Sequence, residues 1–106
     1  MFVAMNNFKI VHGRADDFET AWRTRQTYLQ EVPGFQRFLL LRGDAVGEYI
    51  SLSIWEGRDA FLAWTQSESF AAGHRQGSLA GILEGPPNVK LYDAVLVEDA
   101  EAIASA

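Results

Sequence analysis

The residues with chemical reach in this 106-residue chain gather in one stretch, Ala60-Phe-Leu-Ala-Trp-Thr-Gln-Ser-Glu-Ser-Phe-Ala-Ala-Gly-His74. Trp64 brings an indole, Phe61 and Phe70 bring rings, and His74 brings an imidazole. Neutral imidazole is the commonest protein ligand for transition metals. On a helix His74 follows Phe70 by one turn, so ring and ligand can share a face. Gly73 has no side chain to keep a flat ligand away from the backbone. Together these residues suit a slot for a planar, metal-containing molecule. The same residues also have structural uses: Trp64 can seal a helix against a sheet, and His74 can sit as a mild cation near a helix end.

Two amides add to the set. Asn6 and Asn7 stand in a strand-like segment, where asparagine is disfavoured and a buried amide needs a partner. Successive strand residues point to opposite faces, so only one of the pair can line a given pocket. Either could instead be a solvated edge position. The remaining candidates are weaker. His12 falls at a strand-to-turn boundary, and Asp16, Asp17 and Glu19 read as helix-start charges. Serines flank the Trp64–His74 stretch without a Gly-x-Ser-x-Gly elbow, and Gly13, Gly43 and Gly47 form no phosphate-binding loop. With two histidines and no cysteine, a metal must arrive inside a cofactor or rely on one protein ligand.

The elements that must position these groups follow from periodicity. Phe2 to Val11 reads as a first strand closed by His12-Gly13. Phe18, Ala21, Trp22, Arg25, Leu29 and Val32 recur at helical spacing, which predicts one long helix over Ala15 to Glu31, stopped by Pro33-Gly34. Phe35 to Arg42 is a second strand and Gly43 to Gly47 a hairpin turn. From Glu48 to Trp55 the alternation is clean, with Tyr49, Ser51 and Ser53 on one face and Ile50, Leu52 and Ile54 on the other. Arg58 to Trp64 is a short helix. Thr65 to Glu68 matches a capping box for a second helical piece from about Ser67 to Arg75, with Thr65 as the cap. Ser78 to Asn88 is a Gly- and Pro-rich loop, Val89 to Val97 a fourth strand, and the last residues a weakly helical tail.

The order strand, helix, strand, strand, helix, strand is the ferredoxin-like βαββαβ arrangement of the α+β class, an antiparallel sheet covered by helices on one face. Residues 1–98 form a single domain in this reading and 99–106 a flexible tail. Apolar residues on both faces of the strands call for a second copy packing sheet against sheet, a homodimer. The formal charge of −5 argues against a nucleic-acid partner. No apolar run is long enough for a membrane span and no leader pattern opens the chain, so a cytoplasmic location is expected.

Asn7, Pro33-Gly34-Phe35, Trp55-Glu56 and Ala60-Phe61-x-x-Trp64-x-x-Ser67-x-x-Phe70-x-x-x-His74 together resemble the IsdG-type haem-degrading monooxygenases. These are a branch of the antibiotic-biosynthesis-monooxygenase group of dimeric α/β-barrels. The resemblance spans Val3 to about Val97, and its specific part is the set Asn7, Trp64 and His74. It implies that His74 binds haem iron on the proximal side, that Asn7 hydrogen-bonds oxygen on the distal side, and that Trp64 presses the porphyrin out of plane. Haem is then both substrate and cofactor, with O2 and an external electron donor (a reductase or a small reductant) consumed as the ring opens and iron is released.

Chemistry places further residues around such a ligand. Arg23, Arg25 or Arg75 suit the anionic propionates, Phe61, Phe70 and Gly73 suit the macrocycle, and the loop from Gly77 to Asn88 could close over it. The segment after His74 is poor in basic residues, unlike some relatives. Other readings of the same fold are a cofactor-free monooxygenase acting on an aromatic polyketide or quinol, a non-catalytic haem carrier, and a bare dimerisation or sensor domain. His74 and Asn7 discriminate among them: the carrier needs only the imidazole, and the cofactor-free enzyme does without it.

Overall fold

The computed structural model describes residues 1–25, 27–75, 79 and 81–100. Its elements run β1 (Phe2–Lys9), α1 (Ala15–Thr24), a 3-10 turn (Leu29–Glu31), β2 (Phe35–Arg42), β3 (Glu48–Trp55), α2 (Arg58–Thr65), α3 (Glu68–Arg75) and β4 (Asn88–Asp93). The four strands form one antiparallel sheet in the order β2-β3-β1-β4, the ferredoxin-like α+β arrangement expected from the sequence.

Cross-strand register assigns every strand residue to a face. Phe38–Ser53–Ala4–Leu91 form one row, Leu40–Ser51–Asn6–Val89 the next, and Arg42–Tyr49–Phe8 the third, all on the helix-covered side. Val3, Met5, Asn7, Leu39, Leu41, Ile50, Leu52 and Ile54 point the other way. The helices therefore lie over the face of β3 that carries its serines, and the aliphatic face is the uncovered one. Aromatic residues at the row ends supply the apolar surface that the serines lack.

Two apolar clusters fill the covered side. Phe8, Ile10, Phe18, Tyr49 and Ile82 form one under α1, with Trp22 and Leu40 against it. Phe2, Ala4, Leu29 and Trp55 form the other under α2, with Phe38, Phe61 and Trp64 against it. Trp55, Phe2 and Phe18 are fully enclosed, and each such ring stabilises the fold by about 1.5–3 kcal/mol through burial alone.

Three boundaries differ from the periodicity reading. The long helix ends at Thr24, because Arg25 turns extended (φ −66°, ψ 145°) and the chain re-enters the core as the 3-10 turn that buries Leu29. Helical spacing continued through that break because both segments face the same core. The fourth strand stops at Asp93 rather than Val97, its ladder closing with Ala94 N–H to Met1 C=O at 2.9 Å, and Val95 and Leu96 are exposed. The first strand ends at Lys9, with Ile10 bridging to Leu83.

The cap of α3 is also displaced. Ser67 Oγ accepts from Phe70 N–H at 3.2 Å, whereas the Thr65 hydroxyl donates backwards to Leu62 C=O at 2.7 Å. Ser67 therefore holds the position that the four-residue pattern assigned to Thr65.

Gly34 fixes how α2 approaches the sheet. Its φ is +81°, open to glycine at little cost, and a Cβ there would collide with the Cβ of Ala60 on α2. Its carbonyl accepts from Glu56 N–H at 2.7 Å, tying the start of β2 to the β3–α2 junction.

Candidate active site

Between the two clusters the covered face is polar. Asn6 and Ser51 are paired across β1 and β3 on the middle row, with Ser53 on the next. Ser51 is buried, and the Asn6 amide oxygen is sealed from solvent with no hydrogen-bond partner among the described residues. An orphaned carbonyl of this kind costs free energy unless something supplies a donor, so it marks a place built for more than packing.

Trp22 overhangs this row. Its ring stacks on Phe38 at 5.4 Å and meets Phe8 edge-on at 5.9 Å, and those two residues belong to the rows on either side of Asn6. Its indole N–H is likewise buried and unpartnered among the described residues. The Arg25 guanidinium lies 4.6 Å from the Trp22 ring and 4.8 Å from Phe38, a cation on two π-faces. Burial pushes its pKa down, although an arginine stays charged at any ordinary pH.

The other wall is aromatic. Trp64 sits 5.2 Å from Trp55, 6.0 Å from Phe61 and 4.7 Å from Phe70, the last edge-on. α3 carries its backbone one turn past Phe70 to His74. The side chains of Gly73, His74 and Arg75 lie outside the described residues, as do most of the loop residues between Arg75 and Gly81.

Asn7 is not on this side. It points to the uncovered face, where its Nδ2 donates to Asn88 C=O at 3.3 Å beside a depression of about 560 Å³ lined also by Lys9, Leu41, Glu48 and Ile50. The structure thus separates Asn7 from Trp64 by the thickness of the sheet. Asn6 is the amide on the Trp64 side, a consequence of the two-residue period of a strand.

The loop before β4 is partly anchored. Ile82 is buried, its carbonyl accepts from Val11 N–H at 2.7 Å, and Glu84 N–H donates to Lys9 C=O at 2.8 Å. Residues 82–84 are thus held to the end of β1 and are unsuited to act as a free lid.

Sequence reasoning missed one polar centre. Glu19, read there as a helix-start charge, is buried under α1. It accepts from Arg42 Nε at 2.9 Å and Nη2 at 2.7 Å, from Arg23 Nη2 at 3.2 Å, and from the Tyr49 hydroxyl in a very short bond. The Tyr49 and Arg42 hydrogen bonds hold its carboxyl below the usual carboxylate range, against the opposing pull of burial. Burial and the same carboxylate push the Tyr49 phenol up. An acid one turn inside an amphipathic helix, in register with Phe18 and Trp22, was the available signal.

Fold and site together define a small ferredoxin-like domain with an aromatic-walled, polar-floored pocket under its helices. The chain belongs to the antibiotic biosynthesis monooxygenase family, which it matches over residues 1–76. It is 33% identical over 82 residues to a mycobilin-producing haem oxygenase of Mycobacterium tuberculosis (strain CDC 1551 / Oshkosh), covering 74% of this chain and 77% of that one.

Among solved structures it resembles the haem degrader MhuD of Mycobacterium tuberculosis with two haems in its active site. The TM-score is 0.77 at 24% identity, over 93% of this chain and all of the other. It also resembles SnoaB, a cofactor-independent oxygenase of Streptomyces nogalater, with TM-score 0.69 and 24% identity over 91% and 94%. At that identity the solved structures establish the shared fold. No helix among the described residues is long and apolar enough to cross a membrane.

Proposed function

We propose that the protein is a haem-degrading monooxygenase whose pocket lies over Asn6 and Ser51, between α1 and the α2–α3 pair. The observation that supports it best is the buried, unpartnered Asn6 amide beneath aromatic walls. A planar apolar ligand with a polar centre suits that combination. Haem supplies the iron chemistry and is itself consumed, with O2 and electrons from an external donor. This chain's residues do the rest. His74, one turn beyond Phe70, is the proximal ligand. Asn6, in place of Asn7, is the amide facing the distal space. Trp64, Phe61 and Phe70 press on the macrocycle, and Gly73 permits its close approach. Arg23, Arg25 and Arg75 are the cations placed for its carboxylates.

The homology to a haem oxygenase supports this reading over the cofactor-free alternative that SnoaB represents, because that relative is the more similar in sequence. A second copy covers the aliphatic face of the sheet in this reading, giving a homodimer. A cytoplasmic location fits the need for an intracellular reductant.

An optical haem titration of the protein and of His74→Ala, followed by ascorbate in air, tests the proposal. A Soret band that depends on His74 and then bleaches as iron becomes chelatable is the expected result. A band that survives reductant means a carrier, and no band at all moves the assignment to a cofactor-free oxygenase.

A further inference from the structure

Resting on the haem reading, a second feature names how the ligand is anchored. A cavity of about 450 Å³ opens between α1 and β2, lined by Trp22, Phe38 and Leu40 on its apolar side and by Glu19, Arg23, Arg42 and Tyr49 on its polar side. Leu40 belongs to the same cross-strand row as Ser51 and Asn6, so this cavity adjoins the polar floor. Its charges do not cancel. Glu19 brings one negative charge and the two arginines bring two positive ones, and among the described residues neither guanidinium meets a second carboxylate.

The donors are also in surplus. Arg42 spends Nε and Nη2 on Glu19, and Arg23 spends one Nη2, which leaves Nη1 of Arg42 and both Nε and Nη1 of Arg23 without a bond to any described residue. Glu19 is itself 10% exposed while Arg23 and Arg42 are 74% and 67% exposed. The carboxylate is thus the buried foot of the cluster, and the guanidiniums present their remaining donors outward above the aromatic wall. Planar forks with free N–H groups beside π-faces recognise a carboxylate attached to a flat ring.

We propose that Arg23 and Arg42, held by Glu19 and Tyr49, form a carboxylate-anchoring subsite that orients the tetrapyrrole by a propionate. The subsite lies at the α1–β2 edge, away from α3 and the proximal histidine. It fixes which edge of the ring faces outward, and hence which bridging carbon lies over the polar floor.

Iron-free protoporphyrin IX and its dimethyl ester, titrated by quenching of tryptophan fluorescence, test this without iron chemistry. The wild-type protein binds the dicarboxylic acid about fivefold tighter than the ester. Arg23→Ala, a change at an exposed side chain that spares the core, lowers that ratio to about twofold, and raised salt does the same to the wild type. Arg42→Gln leaves Glu19 without its main partner, so the paired Glu19→Gln/Arg42→Gln variant is measured beside it; both bring the ratio towards one. Acid and ester binding equally in the wild type, or a preference untouched by these variants, overturns the subsite and leaves the haem reading standing. Failure of both porphyrins to bind overturns the haem reading and the subsite together.

Discussion

The two faces of the sheet divide labour in a way that their hydrophobicity alone inverts. The uncovered face is the more uniformly aliphatic, with Leu39, Leu41, Ile50, Leu52 and Ile54 in adjacent rows, and yet it carries no helix. The covered face is broken by Asn6, Ser51 and Ser53, and it is the side that α1 and α2 enclose. Large rings at the ends of its rows supply enough apolar surface to seat the helices and leave the centre polar. A core interrupted in this manner is a pocket floor. A continuous aliphatic face is a surface for another protein, since exposed apolar area of that size seldom stays in water.

The sharpest way to break this contrast is to exchange the two adjacent asparagines. Asn6→Ala is expected to slow ascorbate-driven haem loss by about 100-fold, the scale of removing one preorganised hydrogen-bonding group. Asn7→Ala should change it less than about threefold. The reverse order would place the functional amide on the wrong face.

Stability gives the next contrast. Trp55→Ala removes a fully enclosed ring from the covered face and should cost about 3–5 kcal/mol in urea unfolding. Leu52→Ala on the open face of a dilute monomer should cost less than half as much. Equal losses would mean that both faces are core.

A charge on the open face probes its partner. Leu52→Glu should shift the sedimenting species from dimer to monomer while haem affinity stays within about threefold. A species that is monomeric before the change would remove the second copy from the account.

The smallest effect concerns pH. Glu19 titrates below its ordinary range in the folded chain, so its network adds stability above the unfolded carboxylate pKa and loses it as pH falls through the lower folded value. Urea midpoints of the protein and of Glu19→Gln should differ at neutral pH and converge in acid, below about pH 3. A gap that stays constant with pH would show that packing, and not ionisation, carries the role of Glu19.

Much of the architecture is legible in the residue order, and the exceptions share a cause. The alternation of Glu48 to Trp55 reveals two faces, but period alone does not tell which of them the helices choose. That choice rests on aromatic residues contributed by three other elements. The same blindness places Asn7 rather than Asn6 in the pocket, a one-residue decision with a whole-face consequence. The break after Thr24 is invisible because Leu29 and Val32 keep helical spacing across a non-helical link. Glu19 looks like an ordinary surface acid until Arg42 and Tyr49, on strands 23 and 30 residues away, are brought to it.

Gly34 acts as a spacer gauge for the pocket. Only a hydrogen atom separates its backbone from Ala60, so the distance at which α2 rides over the sheet is set by contact rather than by attraction. Trp64 lies one turn further along α2, and α3 follows directly. A methyl group at position 34 would lift the far wall like a shim under a hinge, widening the slot without touching any residue that lines it.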